Sequence, residues 1–251
     1  MIPADDRGLL LGDGLFETIL AEGGQLHLPD LHIDRMIRGC AVIGLAPPDA
    51  AEARRAAEQA AAGISGRAAV RLTLTAGSGR GLDRPAAARP RLLASASGAP
   101  EPSGPARLCT VSVRRNDGSP ASRVKSLSYL DNVLARREAR ARGADEALML
   151  NSRGEIAGAA AANFFWIEQG RLFTPALACG VLDGIIRGQV LAAAEALGVE
   201  VVEIRAAADR LGAAEGAFLT SSLIGVLSVL EIDGRALDAH RLVEALSSQC
   251  R

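Results

Sequence analysis

Along its 251 residues the chain switches between short stretches with a two-residue apolar period and longer ones with a helical period, and this switching restricts it to mixed α/β architectures. Leu15-Phe16-Glu17-Thr18-Ile19-Leu20, a turn at Glu22-Gly23-Gly24-Gln25 and Leu26-His27-Leu28 read as a β-hairpin behind a tight Gly12-Asp13-Gly14 turn. From Asp30 onward Leu31, Arg35, Met36 and Ile43 recur at helical intervals until Gly44 and the Pro47-Pro48 pair stop the helix. A second, alanine-rich helix is expected over about 48–62, and a strand over 68–75 that ends in Gly77-Ser78-Gly79-Arg80-Gly81. Residues 98–104 contain two prolines, two glycines and a serine, which is a linker composition. Beyond it, strands are expected at 107–114, 146–151, 163–168, 199–204, 216–220 and 226–232, with helices at 129–143 and after Asp183. The expectation is two α/β (α+β) lobes, a small N-terminal one over 1–104 and a larger C-terminal one over 105–251 that contains Lys125, with no internal repeat.

The 28 basic and 29 acidic side chains nearly cancel, which argues against a generic polyanion or nucleic-acid binder. No apolar run approaches the roughly 20 residues of a bilayer helix, and no basic-then-apolar leader opens the chain, so a cytoplasmic protein without membrane contact is expected. Cys40, Cys109, Cys179 and Cys250 lie far apart and read as reduced thiols. His27, His32 and His240 are too scattered for a metal cluster and read as surface or capping residues, so no metal is expected.

Among the basic residues Lys125 is the single lysine beside 27 arginines. A guanidinium keeps its proton, whereas a desolvated lysine among other cations can lose it and attack a carbonyl. Chemical retention of Lys125 and chance survival are both compatible with the count. Other features carry parallel alternatives. Asp183-Gly184-Ile185-Ile186 opens a helix, where unpaired N–H groups suit a phosphate or, equally, an ordinary Asp183 cap. Thr220-Ser221-Ser222 supplies hydroxyls beyond a strand. Arg35 either packs its stem or binds a phosphate. The Gly77–Gly81 loop lacks the context of a dinucleotide motif or a P-loop; Arg80 suits a loop presenting a cation to a carboxylate or a plain hairpin turn.

Seven short stretches, in order, resemble the fold-type IV pyridoxal-phosphate enzymes, the class IV aminotransferase family. They are Gly12–Thr18, His32–Met36, Lys125 with Tyr129–Asn132, Asp145–Asn151, Asn163–Trp166, Leu172–Pro175 and Gly184–Arg187. The resemblance implies pyridoxal 5'-phosphate as cofactor, Lys125 as the lysine that forms a Schiff base with it, and phosphate contacts from Arg35, Gly184, Ile185, Ile186, Thr220, Ser221 and Ser222. It also implies a homodimer in which a partner copy completes the pocket, and a small amine or carboxylate substrate beside Phe16 and Arg80. Within the family the stretches from Lys125 to Glu138 and from Ala161 to Trp166 are most similar to aminodeoxychorismate lyase, which converts 4-amino-4-deoxychorismate into 4-aminobenzoate and pyruvate on the folate route. An aminotransferase acting on branched-chain or D-amino acids is the alternative. One departure stands out: where the family carries a glutamate for the pyridine nitrogen, this chain has Gly158, and Glu155, three residues earlier, is expected on the other face. The loss weakens the electron sink, which a reaction ending in an aromatic ring tolerates better than transamination. It also admits a degenerate relative with weak or absent cofactor chemistry.

Overall fold

The computed structural model describes residues 2–250. By their contacts these form two compact units: residues up to Pro100 together with Val124–Ser128, and Glu101–Arg123 together with the chain from Tyr129 onward. Lys125 therefore belongs to the first unit, although its place in the sequence puts it in the C-terminal lobe. The reason is backbone pairing: Phe16 N–H donates to the Lys125 carbonyl at 2.9 Å, and Leu127 N–H to that of Gly14 at 3.0 Å.

In the first unit, helix α1 (Arg7–Leu11) ends at Gly12 and strand β1 (Gly14–Glu22) turns back through β2 (Gln25–Leu26). Helices α2 (Pro29–Ile43) and α3 (Ala50–Ala62) follow, then β3 (Arg67–Thr75) and β4 (Arg91–Gly98). The strands form an antiparallel sheet in the order β2-β1-β3-β4. Asp49 caps α3 by accepting from Glu52 N–H, so the helix begins just after the Pro47-Pro48 break. Leu15, Ile19, Leu72 and Val70 line one face of the sheet and pack with Ile33, Met36, Ala53 and Ala57 of the helices. Strand β4, with its Ala-Ser-Ala-Ser-Gly end, has little intrinsic strand preference and owes its conformation to pairing along β3.

The second unit contains β5 (Ala106–Arg115), α4 (Leu130–Ala141), β6 (Glu146–Asn151), β7 (Ile156–Ala159), β8 (Asn163–Glu168) and β9 (Arg171–Pro175). Helix α5 (Ile185–Ala196), β10 (Val201–Ile204), β11 (Gly216–Ser221), β12 (Gly225–Ile232), β13 (Arg235–Ala236) and α6 (Arg241–Gln249) complete it. Its sheet runs β10-β9-β8-β11-β12-β5-β6-β7, with β13 on β12 and parallel pairs at β10/β9, β12/β5 and β5/β6. Strand β8 is buried along its whole length, so its Asn-Phe-Phe-Trp-Ile run serves two faces. Trp166 stacks with Phe164 and with Phe173 on one face. On the other, Phe165 lies against its register partner Phe218 with ring centroids 4.8 Å apart, in line with the next register pair, Asn163 and Thr220. Among the described residues no helix is long and apolar enough to cross a membrane.

The Phe165/Phe218 pair thus underlies the face that carries Asn163 and Thr220. Phe218→Ala is expected to cost about 3–5 kcal/mol of unfolding free energy, read from urea denaturation. A loss below about 1 kcal/mol would show that the stack does not support this face.

Candidate active site

Strand β1 carries a carboxylate into an apolar row. Glu17 lies between Leu15 and Ile19 and opposite Leu72, on the face that α2 covers, and its side chain is 1% exposed. A lone carboxylate there would be costly, and α2 supplies two partners one turn apart. Arg35 donates from Nε to Oε1 at 2.8 Å and from Nη2 to Oε2 at 2.6 Å, and His32 Nδ1 lies 2.7 Å from Oε2. Burial pushes the Glu17 carboxyl up, but the hydrogen bonds of Arg35 and His32 outweigh it and bring it down to about 2. The carboxylate is an acceptor only, so Nδ1 of His32 carries the hydrogen. Burial holds the His32 ring below the usual imidazole range against the pull of Glu17. His32 is thus a buried anchor, which corrects its reading as a surface or capping residue; His240 does cap α6, accepting from Leu242 N–H.

The same strand fixes Lys125. Its Nζ lies 4.4 Å from the centroid of the Phe16 ring, and the Arg71 guanidinium lies 3.8 Å from the same centroid. Burial brings the Lys125 amine down to about 8; Glu17 opposes the shift, and the charges of Arg35 and Arg71 add to it. An amine with that value is partly unprotonated near neutral pH and able to attack a carbonyl carbon. Structure therefore joins Phe16, Arg35 and Lys125, three residues singled out from the sequence, and adds Glu17, His32 and Arg71. Glu17 was legible in principle as a charge at an apolar position of an alternating strand; Arg71 gave no signal in a chain with 27 arginines.

Arg80 stands exposed on the loop after β3. That loop is held instead by Arg7, whose guanidinium donates to the carbonyls of Gly81, Leu82 and Asp83. Arg71 shares the Phe16 ring with Lys125.

In the second unit the other candidates gather at the start of α5. Gly184 is the cap residue, so the N–H groups of the first turn at Ile185 and Ile186 meet no capping side chain from it. Asp183 is exposed and sits 3.6 Å from Arg187, the buried arginine that also pairs with Glu203. The chain approaches so closely here that a Cβ on Gly184 would collide with Oδ1 of Asn163, while Nδ2 of Asn163 holds the Leu182 carbonyl at 2.8 Å. Thr220, the register partner of Asn163, is 1% exposed, and its hydroxyl has no hydrogen-bond partner among the described residues. Ser221 and Ser222 follow at the strand end and are partly exposed. First-turn amides and an unsatisfied buried hydroxyl form a donor set that suits a phosphate monoester.

The position of the missing carboxylate is equally defined. Gly158 is buried in β7 with φ of +85°, in the left-handed region, so a glutamate on this backbone would be strained. Glu155 is committed elsewhere, accepting from Asn151 Nδ2 at 2.7 Å and from Arg205 Nε at 3.0 Å. The residue adjoining Gly158 is instead bound by an arginine: Arg115 Nη2 donates to the Ala159 carbonyl at 3.0 Å. All four cysteines are buried thiols, and no group of three metal-ligating side chains occurs among the described residues.

These features define an α/β protein with a partly deprotonated lysine over an aromatic ring and a separate phosphate-type donor set. The class IV aminotransferase family model matches residues 14–232, and the chain belongs to that family. A Methanocaldococcus jannaschii protein provisionally named a branched-chain-amino-acid aminotransferase is 34% identical over 95% of this chain and 85% of its own. The crystal structure of 4-amino-4-deoxychorismate lyase from Pseudomonas aeruginosa superposes with a TM-score of 0.91 at 30% identity, covering 99% of this chain and 94% of that one. That of the branched-chain aminotransferase from Thermoproteus uzoniensis gives 0.90 at 29%, covering 99% and 87%. The fold is that of the fold-type IV aminotransferase structures.

Glu17→Gln removes the charge that Arg35 and His32 share, and a loss of about 3–5 kcal/mol in unfolding free energy is expected. Because the folded carboxyl is held near 2 against an ordinary 4.5, its contribution is complete above about pH 4.5 and fades as pH falls toward 2. Unfolding free energies measured from pH 7 down to pH 2 should therefore show a smaller acid loss for the variant; parallel curves would mean that Glu17 is not the linked group.

Proposed function

We propose that this chain binds pyridoxal 5'-phosphate and uses it as a lyase, converting 4-amino-4-deoxychorismate into 4-aminobenzoate and pyruvate. The observation that carries the cofactor reading is the state of the one lysine, seated against Phe16 with its amine brought down to about 8. When bound, the cofactor supplies an electron sink for negative charge at a carbon next to nitrogen.

The residues have separable tasks. Lys125, unprotonated in part near neutral pH, would hold the cofactor through its carbonyl carbon, and its amine is the group that would take a proton from the amine-bearing carbon of the substrate. Phe16 covers one side of that amine and keeps water from it. Arg35, aimed by Glu17, and the amides of Ile185 and Ile186 hold the phosphate, with Gly184 allowing close approach and Thr220, Ser221 and Ser222 offering hydroxyls. Arg71, and at longer reach Arg80, meet a substrate carboxylate. A second copy of the chain completes the substrate pocket.

Gly158 favours elimination over transamination. A site without a carboxylate for the ring nitrogen stabilises carbanions less well, and loss of an enolpyruvyl group is driven by formation of the aromatic ring. The second reading, a class IV aminotransferase, draws on the 34% identity to the Methanocaldococcus jannaschii protein.

Two measurements test this. After incubation with pyridoxal phosphate and borohydride, mass spectrometry of the peptide that carries Lys125 should find an adduct on that residue, absent in Lys125→Ala and forming with a pH midpoint near 8 where an ordinary lysine would give 10.5. No adduct at Lys125 would indicate a degenerate relative. Supplied with 4-amino-4-deoxychorismate, the loaded protein should release 4-aminobenzoate and pyruvate in equal amounts; keto-acid exchange with amino acids and no aromatic product would establish the aminotransferase instead.

A further inference from the structure

Among the described residues of the second unit, Arg115 is a shielded arginine that forms no ion pair. It is partly buried near the end of β5, and its Nε is wholly shielded without a hydrogen-bond partner among the described residues. Nη2 meets only neutral groups, the Ala159 carbonyl at 3.0 Å and the Met149 sulfur at 3.4 Å. The acidic groups in its surroundings are engaged otherwise. Asp117 binds Ser152 and Arg153, and Glu155 binds Asn151 and Arg205. Tyr129 and Asp131 act on Arg115 only at a distance, and burial lowers its pKa from the usual value. A shielded guanidinium with an idle N–H is unfavourable in an empty protein and becomes favourable when a ligand brings an acceptor.

Two short chain segments tie Arg115 to the phosphate donors. Arg115 bonds Ala159 and lies against Gly180, where a Cβ would sit 3.4 Å from its Cδ. Four residues further along each segment are Asn163 and Gly184, which abut one another beside Thr220. Ala159 and Gly180, which flank Arg115, are thus each within about 14 Å of extended chain of Asn163 and Gly184 respectively. A ligand with a phosphate at one end and a neutral acceptor at the other fits this layout. In pyridoxal phosphate the phosphate goes to the α5 turn and the aldehyde carbon to Lys125, which leaves the ring nitrogen, para to that carbon, as the acceptor remote from both.

We infer that Arg115 Nε–H donates to the cofactor's ring nitrogen and keeps it unprotonated, where Gly158 leaves no carboxylate to protonate it. This rests on the proposed cofactor reading and deepens it. A guanidinium cannot accept a proton, and facing a pyridinium it would set donor against donor and charge against charge. The electron sink is consequently weak, which suits an elimination that ends in an aromatic ring and disfavours transamination. Arg115 is on this reading a cofactor-binding residue.

The probes are 4'-deoxypyridoxine 5'-phosphate, which has no aldehyde and so binds without Lys125 chemistry, and its analogue with CH in place of the ring nitrogen. Titration calorimetry on the full chain should show the pyridine probe binding wild type at least about tenfold more tightly than the CH probe. In Arg115→Leu the two affinities should converge to within about twofold while phosphate-dependent binding persists. Arg115→Gln, which keeps a neutral donor, provides a second variant should the leucine protein fail to fold, and its preference should be smaller than in wild type. A preference unchanged in both variants, or absent from wild type, overturns the assignment of Arg115 and leaves the cofactor reading intact. Failure of wild type to bind either probe, with no borohydride adduct at Lys125, overturns both.

Discussion

The buried carboxylate of Glu17 is the constraint on which the arrangement around Lys125 in the first unit depends. It sits in the row of a strand that should be apolar, and two helix side chains at i and i+3 converge on it. Without Glu17, Arg35 would face an apolar sheet with a charge to dispose of, and His32 would lose the acceptor that fixes its tautomer. With it, the guanidinium has a set direction, and α2 is tied to β1 at the level of Phe16 and Lys125. The cluster also places positive charge near the lysine, so the network that orders Arg35 helps to lower the amine's pKa.

The second unit solves a different electrostatic problem. Its donor set is made of backbone amides at a partly open helix start and the buried Thr220 hydroxyl, neutral groups that bring no charge to compensate. Arg187, which begins the same helix, has its charge neutralised locally by Asp183 and Glu203 and so is not available as a ligand for an anion. Arg115 has no such neutralisation, and the contrast between two shielded arginines in one unit is what singles it out. Both keep a shielded Nε without a hydrogen-bond partner among the described residues, but of the two only Arg187 has its charge met by carboxylates.

Strand β8 shows how the unit holds these groups. Its consecutive Phe164, Phe165 and Trp166 serve opposite faces, one packing into the aromatic ladder with Phe173 and the other stacking on Phe218. The Phe165/Phe218 pair is in register with Asn163/Thr220, so aromatic packing sets the position of the polar pair that touches Gly184. A rigid face beneath the site keeps the amides of Ile185 and Ile186 and the hydroxyl of Thr220 aligned without a ligand present.

Sequence by itself determined the element types of the strongly periodic segments, because apolar period and stop signals are local: β1, α2 between Pro29 and Gly44, α3 behind Asp49 and the α5 turn at Gly184 all follow from it. It also determined which residue could attack a carbonyl, since only Lys125 among the cations can release its proton. Tertiary structure decided the rest. It placed Lys125 with the first unit through two backbone hydrogen bonds to β1, made a strand of β4 by edge pairing, and turned His32 inward because a carboxylate waited there. It showed that Gly158 has a left-handed backbone and that Arg115 stands beside it. Those outcomes depend on contacts between residues 15 to 113 positions apart, and no local pattern in a chain rich in alanine and arginine encodes which pairs will meet.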